Sequence, residues 1–199
     1  MPYKPSQREY RAFSNTFNIA SNENAAGYIV EGYATTFDEP YDMGWCDECI
    51  KREALLGADM TDVIFQLNHE GQTLARQRTN TLELNIDEHG LFVRADLGGS
   101  QKGRELYEAI KNGLIDRMSW GFTIKDDGWE YDENTRTSYI TKVDKVFDVS
   151  AVSIPANQGT QIHARSYLNG VIEQEQQELL KREQEERQRL AAILELQTL

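Results

Sequence analysis

Cysteine is scarce in this chain, basic residues are fewer than acidic ones, and long apolar runs are absent. The 199 residues include 2 cysteines, and 21 Lys and Arg stand against 33 Asp and Glu, for a formal net charge of −12. Proteins that bind nucleic acid without sequence preference neutralise phosphates with clustered Lys and Arg, so the acidic balance argues against this class. No apolar stretch approaches the roughly 18 residues of a membrane-spanning helix. We therefore expect neither a nucleic-acid partner nor a membrane partner.

The first ten residues are not expected to form a secretion signal. Residues 1–10 are polar and carry Lys4 and Arg8, without the apolar centre of a signal peptide. These features predict a cytoplasm-like compartment. At roughly 100–200 residues per domain the length predicts one domain and a tail. The 39% hydrophobic content is enough for one core.

The two cysteines, Cys46 and Cys49, form a Cys-Asp-Glu-Cys motif. A zinc ribbon needs a second ligand pair, and none of His69, His89 and His163 lies at a finger-like spacing. A redox Cys-x-x-Cys usually opens a helix, whereas the flanks here resemble a loop. The motif favours two unreactive loop thiols, with a local metal clip or a reversible disulfide as alternatives. We therefore predict no metal site and no cofactor.

The chain divides into a polar N-terminal segment at 1–26, a domain at 27–165 and a Glu/Gln-rich tail at 166–199. Alternating segments in the domain predict strands, two of them joined by a turn at 87–90 and two more by a turn at 134–135. One helix is predicted after Ser100, with apolar residues at helical spacing and a left-handed stop at Asn112-Gly113. The domain therefore has an α+β fold that is mainly β, with a few helices.

The tail consists of strong helix formers and has apolar residues only at its two ends. It lacks a sustained heptad, so a long coiled coil is not expected. The pattern predicts a solvated helix that docks through its ends or through a partner.

Ser119 is the first candidate for chemistry. Met118, Trp120 and Phe122 share one face of a predicted strand, and Ser119 lies on the small or polar face. The following Gly121 leaves room for the backbone of a substrate. The alternative is a surface serine on a half-buried sheet. The segment is not a Gly-x-Ser-x-Gly nucleophile elbow.

His69 follows an apolar strand and shares the parity of Val63, Phe65 and Leu67, so we expect its imidazole to continue a buried face. A half-desolvated imidazole that is neutral at physiological pH suits a general base. The alternative is a histidine at the edge of the core with a satisfied hydrogen bond.

Asp148 shares the parity of Val146 and Val152 in the last predicted strand. A carboxylate on such a face is costly unless it is paired. It could orient a histidine, or it could pair with a lysine or arginine at the strand end. His89 is expected in a solvated turn, and His163 is a weaker alternative orienter.

Five segments together resemble the tailed-phage prohead protease family, the capsid-maturation serine peptidases whose fold is similar to herpesvirus assemblin. They occur in family order within residues 8–165. The segments are 30–37, 65–70, 103–110, 118–122 and 148–156.

The resemblance implies that Ser119 is the nucleophile, that His69 is the general base, and that Asp148 stands where relatives often carry glutamate. It also implies a small bent-sheet or β-barrel core of the assemblin type. The substrates would be the scaffold segment of the major capsid protein and the protease itself, with a possible homo-oligomer. The location would be the assembling prohead in the host cytoplasm, where the tail could tether the enzyme.

Two other classes of function fit the chain less closely. One is a non-catalytic scaffold or capsid-assembly protein of the same fold. The other is a metal- or redox-regulated binding module built on Cys46 and Cys49.

Overall fold

The strand-rich pattern becomes three β-sheets in the computed structural model, which describes residues 7–13, 17–19, 27–44, 46–153 and 181. Most of these residues lie in short strands, and the predicted mainly β, α+β class is confirmed. The elements, in chain order, are β1 (Glu9–Phe13), β2 (Asn18–Ile19), β3 (Ile29–Thr36), β4 (Tyr41–Asp42), β5 (Asp47–Ile50), β6 (Ile64–Leu67), β7 (Glu70–Arg76), β8 (Leu82–Ile86), β9 (Gly90–Asp96), α1 (Gln101–Lys111), β10 (Arg117–Ile124), β11 (Trp129–Asp132), β12 (Thr137–Ile140) and β13 (Val143–Val152). Two 3₁₀ turns lie at Arg52–Leu55 and Gln77–Thr79.

The central sheet contains five strands in the order β1-β10-β13-β6-β7. Its neighbours are antiparallel except β13 and β6, which run parallel. The second sheet has the order β2-β3-β9-β8, and the third has the order β11-β12-β5-β4. The central sheet places β1 and β13, the first and last strands in the chain, on either side of β10.

The closed form of the expected bent sheet or barrel is not found among the described residues. The strands divide into three separate sheets, and β1 and β7 are the end strands of the central one. A barrel requires an unbroken ladder of hydrogen bonds around its circumference, and this ladder is interrupted between the sheets.

Helix α1 begins and ends as the sequence predicts. The Ser100 Oγ accepts a hydrogen bond from the Gly103 backbone N–H at 3.0 Å, which caps the first turn. Gly113 has a φ of 70° just beyond the helix, a conformation that costs glycine little. Leu106 is buried, whereas Leu114, which continues the helical spacing, lies past this stop and is exposed.

Both faces of β10 are buried from Met118 to Ile124, and its two edges pair with β1 and β13. Trp120 and Phe122 stack with their ring centroids 3.9 Å apart in the core. Ser119, on the opposite face, has no exposed surface either. A serine on a solvated face is therefore not what the structure contains.

Strand β1 lies within the segment 1–26 that the sequence analysis sets apart from the domain. Its residues pair antiparallel with β10, from Glu9 opposite Phe122 to Phe13 opposite Met118. By contacts, residues 3–161 form one compact unit. Residues 9–13 thus belong with the central sheet. The predicted tail helix at 166–199 lies outside the described residues, apart from Lys181 in a helical conformation.

The Cys-x-x-Cys motif leads into a strand, not a loop, because Cys49 belongs to β5. Both thiols are free and buried. Burial, and then the nearby Glu48 carboxylate, raise the pKa of Cys46 to about 12. Burial also raises the pKa of Cys49. A thiol held in its neutral form is a poor nucleophile and a poor metal ligand.

Within the described ranges, no helix is long and apolar enough to cross a membrane.

Candidate active site

Ser119, Asp148 and His69 are brought together by neighbouring strands of the central sheet. Ser119 lies in β10, Asp148 lies in the adjacent β13, and His69 follows β6, the next strand along. Ser119 is paired with Ser150, and Gly121 with Asp148. Residues paired across two strands point to the same face of a sheet. The Ser119 hydroxyl and the Asp148 carboxylate therefore share one face.

A two-residue turn carries His69. Leu67 and Glu70 pair as the ends of the β6–β7 hairpin, and Asn68 and His69 between them have φ values of 54° and 58°. Two successive positive φ angles are typical of the type I′ hairpin turn, and Asn and His adopt them more readily than most residues. The Asn68 Oδ1 accepts hydrogen bonds from the backbone N–H of Ser153 at 3.0 Å and from its hydroxyl at 3.1 Å. The turn is thereby fastened to the end of β13.

The His69 side chain does not point to the face that its strand parity predicts. Strand β6 ends at Leu67, so the alternation of Phe65 and Leu67 does not extend to His69. The turn instead directs the imidazole toward Ser119 and Asp148, whereas Phe65 belongs to the hydrophobic core. Strand parity fails here because positive φ angles interrupt the extended backbone.

The three side chains form one continuous chain of hydrogen bonds. The Ser119 Oγ lies 2.6 Å from the His69 Nε2. The His69 Nδ1 contacts the Asp148 Oδ2. In the tautomer that this arrangement favours, the hydroxyl donates to Nε2 and the Nδ1–H donates to the carboxylate.

Ser150 links the Asp148 carboxylate to the backbone of His69. Its hydroxyl donates to the Asp148 Oδ2 at 3.1 Å and accepts a hydrogen bond from the backbone N–H of His69 at 3.2 Å. One side chain thus fixes the carboxylate relative to the turn that carries the imidazole. The role of Ser150 was not anticipated from the sequence, where the one serine of β13 carries no distinguishing signal.

The Oδ1 atom of Asp148 takes no part in this chain of hydrogen bonds. Asp148 is 1% exposed, and its Oδ1 is buried without a hydrogen-bond partner among the described residues. Its nearest cation is the Arg8 guanidinium, with Nη1 at 3.8 Å. A Cβ at Gly121 would lie 2.5 Å from this oxygen, so the site requires glycine opposite Asp148.

The remaining histidines do not join this cluster in the described part of the chain. His89 is exposed in the turn between β8 and β9, where its ring contacts Tyr33. His163 lies outside the described residues. No group of three His, Cys, Asp or Glu side chains suited to a metal ion occurs in the described ranges.

This arrangement can activate a hydroxyl for nucleophilic attack. A serine that donates to an imidazole, which donates in turn to a carboxylate, can lose its proton as it attacks an electrophilic carbon. The same geometry occurs on unrelated folds and is defined by contacts, not by chain order.

Comparison with known proteins gives one family. A sequence profile described as "Caudovirus prohead serine protease" matches residues 15–174. The chain is also 33% identical over 89 residues to the prohead protease of Escherichia phage T5. That match covers 45% of this chain and 40% of the relative, so it spans less than half of the relative's length.

Among solved structures, the chain is similar in fold to the bacteriophage T4 capsid assembly protease. The TM-score is 0.51, and the superposition covers 75% of this chain and 98% of that one. The sequence identity is 13%, so this likeness concerns the fold alone.

Proposed function

Since the chain belongs to the caudovirus prohead serine protease family, we propose that it is a serine endopeptidase with Ser119 as its nucleophile. His69 is the general base, and Asp148 orients the imidazole and stabilises its cation. The observation that carries the proposal is the hydrogen-bonded chain from the Ser119 Oγ through His69 to Asp148.

The reaction begins when the Ser119 Oγ attacks the carbonyl carbon of a peptide bond and its proton passes to the His69 Nε2. The tetrahedral intermediate then collapses, and the imidazolium gives this proton to the departing amine. Water attacks the resulting acyl-enzyme, with His69 again taking a proton, and Ser119 is restored. A positioned base of this kind contributes about 10²–10⁴-fold in rate.

The role of Asp148 follows from its burial and its contacts. A carboxylate in a poorly hydrated site interacts strongly with an imidazolium beside it. Hydrogen bonds from the His69 ring and from Ser150 hold the carboxylate in place. Asp148 thus favours one tautomer of His69 and offsets the positive charge that forms during attack.

The substrate class comes from the family. We propose that the chain cleaves the scaffold segment of the major capsid protein, and itself, inside the assembling prohead. The capsid protein and a second copy of this chain are then its partners. No cofactor enters this mechanism.

Co-expression with the capsid protein of the same phage tests the proposal. We expect wild type to shorten the capsid protein, and Ser119→Ala to leave it at full length, as measured by intact mass. The matched control is Ser138→Ala, which removes another fully buried strand serine, in the third sheet. This control should cleave as wild type does.

Two results would contradict the proposal. Identical truncation with wild type and Ser119→Ala would mean that another protease acts. Full-length capsid protein in every sample, after shells have assembled, would favour the scaffold protein over the enzyme.

A further inference from the structure

Strand β1 has two different faces. Glu9 and Arg11 are buried, whereas Arg8 and Tyr10, which alternate with them, point to the face that carries Asp148 and His69. Alternate residues of a strand point to opposite sides of a sheet. One short strand can therefore anchor itself with one set of residues and contact the candidate active site with the other.

The anchoring face is an ion-pair network. The Arg11 Nε donates to the Glu48 Oε1 at 2.5 Å and its Nη2 donates to the Glu48 Oε2 at 3.0 Å, which ties β1 to β5 in the third sheet. Its Nη1 donates to the Glu9 Oε2 at 3.2 Å. A bidentate guanidinium–carboxylate pair fixes orientation as well as distance. Strand β1 is therefore held in one position beside β10.

The other face meets the His69 ring. The Tyr10 and His69 ring centroids are 4.4 Å apart, at an interplanar angle of 55°. The Nδ1 and Nε2 atoms of His69 are engaged by Asp148 and Ser119, so Tyr10 packs against a ring that is already bound at two edges. This contact limits rotation of the imidazole out of the hydrogen-bonded chain.

Arg8 contacts the other end of the chain. Its Nη1 lies 3.8 Å from the Asp148 Oδ1, the buried oxygen without a hydrogen bond, and 3.5 Å from the Tyr10 hydroxyl. The guanidinium also lies over the Phe147 ring, 4.0 Å from its centroid. Arg8 is thus placed between the carboxylate and the tyrosine.

The lack of a side chain at Gly121 is a separate observation that links Tyr10 to Asp148. A Cβ at this position would lie 2.5 Å from the Asp148 Oδ1 and 2.9 Å from the Tyr10 Cε1. The tyrosine and the carboxylate therefore occupy the space above one glycine of β10. The strand that carries Ser119 accommodates the residues of β1 by having no side chain here.

We propose that β1 and the preceding Arg8 belong to the catalytic apparatus, with Tyr10 as a positioning residue for His69 and Arg8 as a positioning residue for Asp148. This inference rests on the proposed function. Tyr10 contacts the His69 ring and Arg8 lies beside Asp148, so we expect each to act through that residue on the rate of the chemical step.

A fluorophosphonate–rhodamine probe measures this step without a known cleavage site. The Ser119 Oγ attacks phosphorus, fluoride departs, and His69 takes the proton. The full-length chain is labelled at increasing probe concentration, which separates the maximal labelling rate from the concentration at half-maximal rate. Ser119→Ala defines the background.

Misplacement of a catalytic group by about 1 Å can cost up to 10²-fold. We therefore expect Tyr10→Ala to lower the maximal rate at least about tenfold, with the half-maximal concentration unchanged, and Tyr10→Phe to restore the rate to within about twofold. Arg8→Gln should slow labelling about threefold, and Arg8→Lys should restore it.

Tyr107→Ala is the matched control, because Tyr107 is a half-buried tyrosine in α1 whose ring contacts Tyr28 instead of the site. Thermal unfolding is recorded for every variant. If Tyr10→Ala is labelled as fast as wild type, or if Tyr107→Ala is slowed equally, the role of Tyr10 is refuted.

If Tyr10→Ala does not fold, the Arg8 variants still test the inference. The Arg8 side chain is 44% exposed and tolerates substitution. Equal labelling of wild type and Arg8→Gln would refute the role of Arg8. A folded wild type that is not labelled at all would instead refute the proposed function, and the positioning roles with it.

Discussion

Two buried polar clusters lie on the two faces of β1, and they differ in the groups that form their hydrogen bonds and in the strands that they join. The Arg11 cluster, consisting of Glu9, Arg11, Tyr41 and Glu48, joins the central sheet to the third sheet through charged hydrogen bonds. The Ser119 cluster, consisting of Ser119, His69, Asp148 and Ser150, joins three strands of the central sheet.

The two clusters differ in whether their cationic group can exchange a proton near neutral pH. A guanidinium in a protein keeps its proton at every ordinary pH, so the Arg11 cluster can hold strands together but cannot transfer a proton. An imidazole both accepts and donates near neutrality. The Ser119 cluster can therefore move a proton between the Ser119 hydroxyl and the His69 imidazole. The buried contacts of the Arg11 cluster hold β1 in position, whereas those of the Ser119 cluster hold groups that can exchange a proton.

The largest effect is expected from Asp148→Asn, which removes the charge of the Ser119 cluster and keeps its shape. An amide in this position favours the wrong tautomer of the histidine, so Ser119 labelling should fall by about 10⁴-fold. Fluorophosphonate labelling measures the rate, and circular dichroism checks the fold. The matched control, Asp144→Asn, changes an exposed aspartate of the same strand and should label normally. Labelling of Asp148→Asn at the control rate would exclude Asp148 from the mechanism.

The Arg11 cluster should respond in stability instead of chemistry. Glu48→Gln leaves the Arg11 guanidinium buried without its bidentate partner, and the free energy of unfolding should fall by about 3–5 kcal/mol. Urea unfolding measures the change. Glu130→Gln, at an exposed position in β11, should stay within about 0.5 kcal/mol of wild type. If both variants unfold at the same urea concentration, the cluster does not anchor β1.

Gly121→Ala tests the space above β10 that Asp148 and Tyr10 share. The added methyl group would overlap the Asp148 Oδ1 and the Tyr10 ring, and overpacking of this kind costs about 1–3 kcal/mol. We expect lower stability together with slower labelling. Gly99→Ala is the control, because a Cβ at Gly99 meets nothing within 4 Å. Normal labelling of Gly121→Ala would show that the site tolerates a displaced Asp148.

The smallest effect is expected at Cys46, whose pKa is raised from 9.0 to about 12 beside the Arg11 cluster. Above about pH 9 the unfolded thiol loses its proton while the folded thiol keeps it, so stability falls as pH rises toward about 12. Urea midpoints at about pH 7 and about pH 10 should therefore differ less in Cys46→Ala than in wild type. An equal difference in both proteins would mean that Cys46 does not contribute to this loss.

Much of the fold follows from local patterns. The helix after Ser100 and the β8–β9 and β11–β12 hairpins occur where capping, alternation and turn residues predict them. These elements are local, because their hydrogen bonds join residues close in sequence. The division into three sheets is not local, since β13 pairs with β6 across about 80 residues. No periodic pattern encodes such a pairing.

The candidate site was only partly predictable. Residue types and the family resemblance single out His69, Ser119 and Asp148, and their roles stay a proposal. Arg8 and Tyr10 were missed because they lie in a polar segment whose short alternation carries no chemical motif. The orientation of His69 was missed because a turn, and not the strand pattern, determines it.

The sequence by itself determined the mainly β class, the limits of α1 and the choice of His69, Ser119 and Asp148 as candidates for the proposed chemistry. Periodicity, capping and side-chain chemistry are properties of neighbouring residues, so they can be read without a fold. Only the tertiary structure decided that His69 reaches both Ser119 and Asp148, that Arg11 is buried against Glu48, and that Tyr10 covers the imidazole. These contacts join residues distant in the chain, and their geometry depends on how the strands are ordered in the sheet.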